Sequence, residues 1–157
     1  MDFRHYKPPK NLRFLFILHY APLLLIILIG PQTVIFNVWK LPTPQIPTLL
    51  TGVILFIIGT IIYFKWEFYW DKHYHGQLVT SGIFEYIRHP HYTSLLIIGY
   101  GLGLFFTSTA TVLLATIAVP LMILSIYDEE KHLLKQYGKE YKQFMKQTPY
   151  RIIPKLF

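Results

Sequence analysis

Apolar residues along this chain come in long unbroken blocks, not at the alternating spacing of a half-exposed strand or surface helix. The blocks fall at about residues 12–30, 46–64, 92–106 and 110–127. A bilayer-spanning helix needs roughly 20 apolar residues. The pattern therefore predicts about four transmembrane helices. No small-x-small cleavage motif follows the first block, so it reads as a retained span and not a signal peptide. Pro31, Pro42, Pro44 and Pro47 mark a linker behind it. Trp66, Tyr69 and Trp70 sit just past the second block, at the headgroup level that amphipathic rings favour. Only Thr107-Ser108-Thr109 separates the last two blocks, which predicts a tight helical hairpin. Its first arm has 15 residues, about 22 Å at 1.5 Å per residue. That is short of the roughly 30 Å hydrocarbon core, so this arm is expected to begin deep, below a cavity.

The tail over 128–147 reads as an amphipathic helix. Leu133, Leu134, Tyr137, Tyr141, Phe144 and Met145 form its apolar stripe, and lysines occupy much of the rest. Glu130 falls on the apolar side, where a carboxylate needs a partner. The expected fold is all-α: an integral membrane helical bundle of about four transmembrane helices plus a C-terminal amphipathic helix. It is a single domain over 1–157, with N-terminal spans to residue 75 and a functional half over 76–157.

Composition agrees. The chain has 157 residues, 53% hydrophobic and 15% charged, against roughly 25% charged in soluble domains. It contains no cysteine, which excludes disulfides, thiolate metal sites and cysteine nucleophiles. The net charge of +7 suits orientation and anionic lipid better than nucleic acid, for which no binding module is present. Arg4, Lys7, Lys10 and Arg13 precede the first span. Lys131, Lys135, Lys139, Lys142, Lys146, Arg151 and Lys155 follow the last. Both termini are therefore expected in the cytoplasm. The segments 65–91 and 128–157 then share one side and can build one site.

The chemistry concentrates in Leu78-Val79-Thr80-Ser81-Gly82-Ile83-Phe84-Glu85-Tyr86-Ile87-Arg88-His89-Pro90-His91-Tyr92. Thr80-Ser81-Gly82 is turn chemistry, and Pro90 keeps His89 out of helix. Irregular backbone at a membrane edge is tolerated where it is buried in protein or lines a cavity. Arg88, His89 and His91 place ionisable groups there.

This stretch resembles the signature of the isoprenylcysteine carboxyl methyltransferase and phospholipid methyltransferase superfamily. The residues that carry the resemblance are Gly82, Phe84, Arg88-His89-Pro90-His91-Tyr92, Glu129-Glu130, Tyr137-Gly138-Lys139-Glu140-Tyr141 and Pro154. Leu78 to Gly82 is most similar to the isoprenylcysteine branch. The resemblance implies a membrane methyltransferase using S-adenosyl-L-methionine on a lipophilic acceptor, with carboxyl O-methylation of an isoprenylcysteine-like substrate the leading expectation. Phospholipid methylation is the alternative. By resemblance, Gln77, Leu78, Val79, Phe84, His89, Pro90, His91, Tyr92 and Glu129 would line the cofactor pocket. Glu129, Glu130 and Arg88 would form the catalytic group. An Arg four residues before the glutamate engages the substrate in eukaryotic isoprenylcysteine enzymes. Ser125 stands there in this chain, which leaves a substrate carboxylate to Arg151. Other departures are Ile83 and Phe84 for the usual Pro and Tyr, and Ser94 for Gly.

Weaker patterns point elsewhere. Gly99-x-Gly101-x-Gly103 lies in an apolar helix with no preceding strand, so close helix packing is expected, not nucleotide binding. His73-x-His75 and His89-x-His91 lack the richer histidine boxes of membrane di-iron enzymes, and no metal is expected. His19 reads as a packing or hydrogen-bonding residue within its span. Glu67 and Asp71 flank Trp66 and Trp70 as a solvated interface, with a cofactor-ammonium contact the lesser alternative. Membrane sterol and enone reductases share Arg-His-Pro-like segments, but this chain is short for their span number. A non-catalytic homologue is the third reading.

Overall fold

A computed structural model describes residues 10–156, with side chains from residue 18 onward. Arg4 and Lys7 of the N-terminal basic cluster, and the side chains of Lys10 and Arg13, lie outside the described residues. The described chain is helical, with α1 Lys10–Ile35, α2 Gln45–His73, a 3₁₀ turn Gly82–Glu85, α3 Pro90–Phe105, α4 Thr109–Tyr137 and α5 Lys139–Gln147. Three helical segments are long and apolar enough to cross a membrane: Leu18–Ile35, Gln45–His73 and Thr109–Tyr137. The fourth expected span, α3, has 16 residues, about 24 Å at 1.5 Å per residue.

Several boundaries differ from the sequence expectation, for local reasons. Pro31 does not end α1; both Pro22 and Pro31 lie inside it. The linker shrinks to residues 36–44, with Pro44 capping α2. Pro47 falls in the first turn of α2, where a missing N–H costs no helical bond. No helix breaker follows Phe64, so α2 runs on through the tryptophans to His73. The 128–147 segment is likewise not one separate helix. Residues 128–137 continue α4, and the break comes at Gly138, whose φ of +55° belongs to a region L side chains rarely adopt.

α2 packs along α3, α1 along α4, and α3 against α4. The glycines of α3 explain the closest contact. A Cβ on Gly101 would meet the Phe56 backbone nitrogen at 2.5 Å, and one on Gly52 would meet that of Phe105 at 2.4 Å. The expected packing role of the Gly-x-Gly-x-Gly run is therefore seen, with small residues letting two backbones approach. Only 11% of the α2 window is buried inside the protein. Ile46, Leu50, Ile54, Ile57, Ile61, Phe64 and Phe68 face outward, as a lipid-facing helix requires.

At one end of the bundle the linker meets the hairpin turn. Leu41 N–H donates to Thr107 O at 2.9 Å, and Thr109 N–H to Trp39 O at 2.7 Å. The opposite end holds the 74–89 segment, α5 and the irregular C-terminal segment after Thr148. An apolar cluster of Trp66, Val79, Phe84, Tyr141 and Phe144 seats α5 there.

Candidate functional site

The Arg-His-Pro segment is shaped by its neighbours on both sides. Gly82 has φ +66°, and a Cβ on it would strike the Tyr69 ring at 2.5 Å. Its N–H donates to Glu85 Oε1 at 3.0 Å, closing the 3₁₀ turn. Tyr69 and Ser81 share a hydroxyl hydrogen bond at 2.7 Å. Pro90 opens α3 as its first residue with His89 as cap, the position where proline's missing N–H and fixed φ are tolerated best.

The C-terminal segment lies across this corner as a strap. Arg88 N–H donates to Tyr150 O at 2.9 Å and His89 N–H to Arg151 O at 2.8 Å. Thr93 Oγ1 donates to Ile152 O at 2.7 Å. Backbone that irregular segments would leave unpaired is thereby satisfied.

Glu130 is the centre of the buried polar cluster. Arg88 donates to Glu130 Oε1 from Nε at 2.9 Å and from Nη2 at 2.6 Å. Its Nη1 donates to Thr148 O at 2.6 Å. Arg151 donates from Nε to Glu130 Oε2 at 3.0 Å, with Nη2 also 3.0 Å from that oxygen. His89 Nε2 lies 3.3 Å from Oε1. The partner that Glu130 requires is thus a pair of guanidiniums, supplied from 42 residues upstream and 21 downstream. The Arg88 and Glu130 side chains are 3% and 6% exposed. Burial, with the charge of Glu130 adding to it, pushes the neighbouring Tyr141 phenol above its usual range.

Glu129 behaves differently. Its Oε2 is 3.8 Å from His89 Nδ1, and its side chain is 32% exposed. One glutamate of the pair is enclosed by cations while the other is partly exposed. Ser125 is buried, and its hydroxyl donates back to Leu121 O at 3.0 Å within α4. Arg151 also stacks over the Tyr127 ring at 4.9 Å. Ser94 is fully buried and donates to His91 O at 2.6 Å.

Of the other expected site residues, Val79, Phe84, His89, Pro90 and Tyr92 are buried, and Leu78 is half-buried. Gln77 is exposed and spends its amide on the local turn, donating to His73 O and accepting from His75 N–H. His91 Nε2 shares a 2.7 Å hydrogen bond with the Tyr20 hydroxyl. The rings of Trp66, Tyr92, Tyr63 and Tyr20 surround His91, with centroids at 4.4, 5.4, 5.7 and 6.0 Å. His19 is fully buried and lies edge-on to Tyr92 at 5.1 Å. Tyr20 and Tyr63 were not singled out by the sequence. Their nearest signal was the polar pair His19-Tyr20 inside an apolar block, where ionisable groups are functional candidates by default.

A family model described as phospholipid methyltransferase matches residues 47–140, more than half of the 157 residues. The chain belongs to the phospholipid methyltransferase family. The family sits within the integral membrane methyltransferase superfamily that the Arg-His-Pro signature resembles. Membership implies, in general terms, a membrane methyltransferase that uses S-adenosyl-L-methionine. The matched region runs from the first turn of α2 into α5. It contains Glu67, the Arg88–Tyr92 signature and Glu129-Glu130. It leaves out α1, with Tyr20, and the strap that carries Arg151. No curated protein matches the chain significantly.

Proposed function

We propose that this protein transfers a methyl group from S-adenosyl-L-methionine to a lipid-borne acceptor at the end of the bundle where α3 begins. The observation that carries the reading is convergence. The Arg88–Tyr92 signature, the Glu129-Glu130 pair and the C-terminal strap are distant in sequence, yet they meet in one buried cluster.

The residues present suit such a cofactor. Its sulfonium and ammonium call for carboxylates and aromatic faces. Glu129 is half-exposed beside His89, and Phe84 and Tyr92 supply rings. Val79 and Pro90 add apolar walls, with Leu78 and Gln77 at the rim. Once bound, the cofactor supplies a methyl group already activated by a positive sulfur. The chain's own task is then to orient the partners and exclude water.

Within this reading, Glu130 and Arg88 are positioning residues. Every Glu130 oxygen is held by a guanidinium, so it is poorly placed to take a proton. It fixes Arg88 and Arg151, and through them the strap and the start of α3. Glu129 is the member of the pair left to face ligand.

The acceptor approaches from the bilayer, and the cofactor from the side that carries both termini, assigned to the cytoplasm by the basic residues flanking the spans. The nature of the acceptor follows from charge. Among the described side chains, Arg88 and Arg151 are both engaged by Glu130, while Glu129 is partly exposed and Glu67 has a buried carboxylate oxygen without a hydrogen-bond partner. A cationic amine acceptor fits this balance better than a carboxylate. The isoprenylcysteine reading is favoured by the Leu78–Gly82 resemblance; it requires Arg151 to leave Glu130 for the substrate.

The test is isothermal titration of detergent-purified protein with S-adenosylhomocysteine, followed by methyl transfer to a prenylcysteine analogue, a phosphatidylethanolamine and a small amphiphilic acid side by side. Binding with transfer to the amine lipid is the expected result. Absence of S-adenosylhomocysteine binding overturns the methyltransferase reading. Transfer to the prenylcysteine alone overturns the amine assignment.

A further inference from the structure

Glu67 belongs to α2, well away in sequence from the Arg-His-Pro signature, and the resemblance assigns it no role. Its Oε2 is sealed from solvent and has no hydrogen-bond partner among the described residues. His91 Nδ1 is in the same condition. Two unmet polar atoms in one region are unusual, because shielded polar groups are nearly always paired.

The surroundings say what each lacks. Tyr63 and Glu67 are one helical turn apart, so they share a face of α2. Tyr63 and Trp66 both pack against His91 with tilted rings, at 5.7 and 4.4 Å between centroids. Tyr20 reaches the same imidazole from α1. α1 packs on α4 and α2 on α3, whereas among the described residues α1 and α2 make no extensive contact. The aromatic wall of Tyr20, Tyr63, Trp66 and His91 therefore joins residues of α1, α2 and α3 around one imidazole. Glu67 stands at its edge. A carboxylate beside electron-rich rings is the chemistry of cation recognition. Among the described residues, the two guanidiniums Arg88 and Arg151 are engaged by Glu130.

We propose that Glu67 and this aromatic wall hold the ammonium end of a lipid-borne amine acceptor, and that Glu67 takes its proton. This rests on the methyl-transfer reading and names the acceptor side of that site. The acceptor's N–H bond breaks, the proton passes to a Glu67 oxygen, and the lone pair stays on nitrogen, which becomes the nucleophile. His91 offers its remaining ring nitrogen to the same headgroup. The methyl donor's own sulfonium is a second cation that such a wall could take. The acceptor is favoured because Tyr20, Tyr63, Trp66 and Glu67 come from α1 and α2, and of this wall His91 alone lies on the 77–92 segment that, with α4, carries the cofactor's expected residues.

The experiment titrates wild type, Glu67→Gln and Glu67→Asp in detergent with three probes. These are a lysophosphatidylethanolamine, an amine-free lysophosphatidic acid of the same chain length, and S-adenosylhomocysteine; S-adenosylmethionine is added as a fourth arm to read the sulfonium. Glu67→Gln is expected to weaken the amine lipid by about tenfold or more, the scale of one lost charge-assisted contact. The amine-free lipid and both nucleosides should hold within about twofold, a shift too small to represent a lost contact. Glu67→Asp, which keeps the charge, should retain most of the amine affinity. It also serves as the test variant should the glutamine form fail to fold; binding at the level of the amine-free lipid would then count against the proposal. A loss confined to S-adenosylmethionine overturns the assignment in favour of the cofactor, and an equal loss for both lipids overturns it as mere packing. Failure of wild type to prefer the amine lipid overturns it as well. Failure of wild type to bind S-adenosylhomocysteine is a separate outcome, which removes the methyl-transfer reading and this proposal with it.

Discussion

Removing Glu130 should unlock the corner where the signature, α4 and the strap meet. In Glu130→Ala, Arg88 loses its bonds from Nε and Nη2 and keeps only that from Nη1 to Thr148 O. Its side chain is 3% exposed, so water cannot replace what is lost without opening the site. Leaving one partner of a buried ion pair uncompensated costs about 3–5 kcal/mol. Arg151 is 24% exposed and can hydrate, so it should add little to that figure. The expected loss is thus about 4 kcal/mol, near three decades in the unfolding equilibrium. The assay is denaturation by sodium dodecyl sulfate in mixed micelles, followed by circular dichroism. Glu130→Gln keeps a carbonyl acceptor and should lose less, about 1.5–3 kcal/mol, the scale of a hydrogen bond to a charged group. The double variant Arg88→Met with Glu130→Leu should recover most of the loss, because apolar replacement of a buried pair is often neutral or better. An alanine variant within about 1 kcal/mol of wild type, the range of an exposed pair, would refute the claim that Glu130 organises a buried cluster.

Other consequences follow from single contacts. Gly101→Ala places a methyl 2.5 Å from the Phe56 backbone and should destabilise by about 1–3 kcal/mol through overpacking, measured by the same micelle titration. Gly138→Ala meets no atom within 4 Å, so its cost should be backbone strain alone, about 1–3 kcal/mol; a neutral result would show that the bend between α4 and α5 relaxes. Thr93→Val removes the hydroxyl donor to Ile152 O and should cost about 0.5–1.5 kcal/mol. Limited proteolysis should then cut after Thr148 faster than in wild type. Phe84→Ala empties a buried position in the cluster that seats α5; it should cost about 3–5 kcal/mol and weaken S-adenosylhomocysteine binding in titration calorimetry.

Periodicity alone was enough for helix type, for the hairpin at Thr107-Ser108-Thr109 and for the packing role of the α3 glycines. Those features are written locally, in runs of apolar residues and in residues with no side chain. The lengths of the helices were less legible. Pro47 was tolerated by its place in the first turn of α2, Pro31 was carried inside α1, and α2 and α4 continued because nothing stopped them.

The sequence by itself determined that Glu130 would be buried and would need a partner, since its helical phase follows from spacing. It could not name Arg88 and Arg151, because pairing across 42 and 21 residues depends on how α3, α4 and the strap meet. It placed Glu129 and Glu130 side by side without distinguishing them. Tertiary packing divided them, enclosing one in guanidiniums and leaving the other half-exposed beside His89. The same packing drew Tyr20 from α1 and Tyr63 and Trp66 from α2 around His91 at the start of α3. Such a cluster has no linear motif, because its members are neighbours only after the helices have found one another.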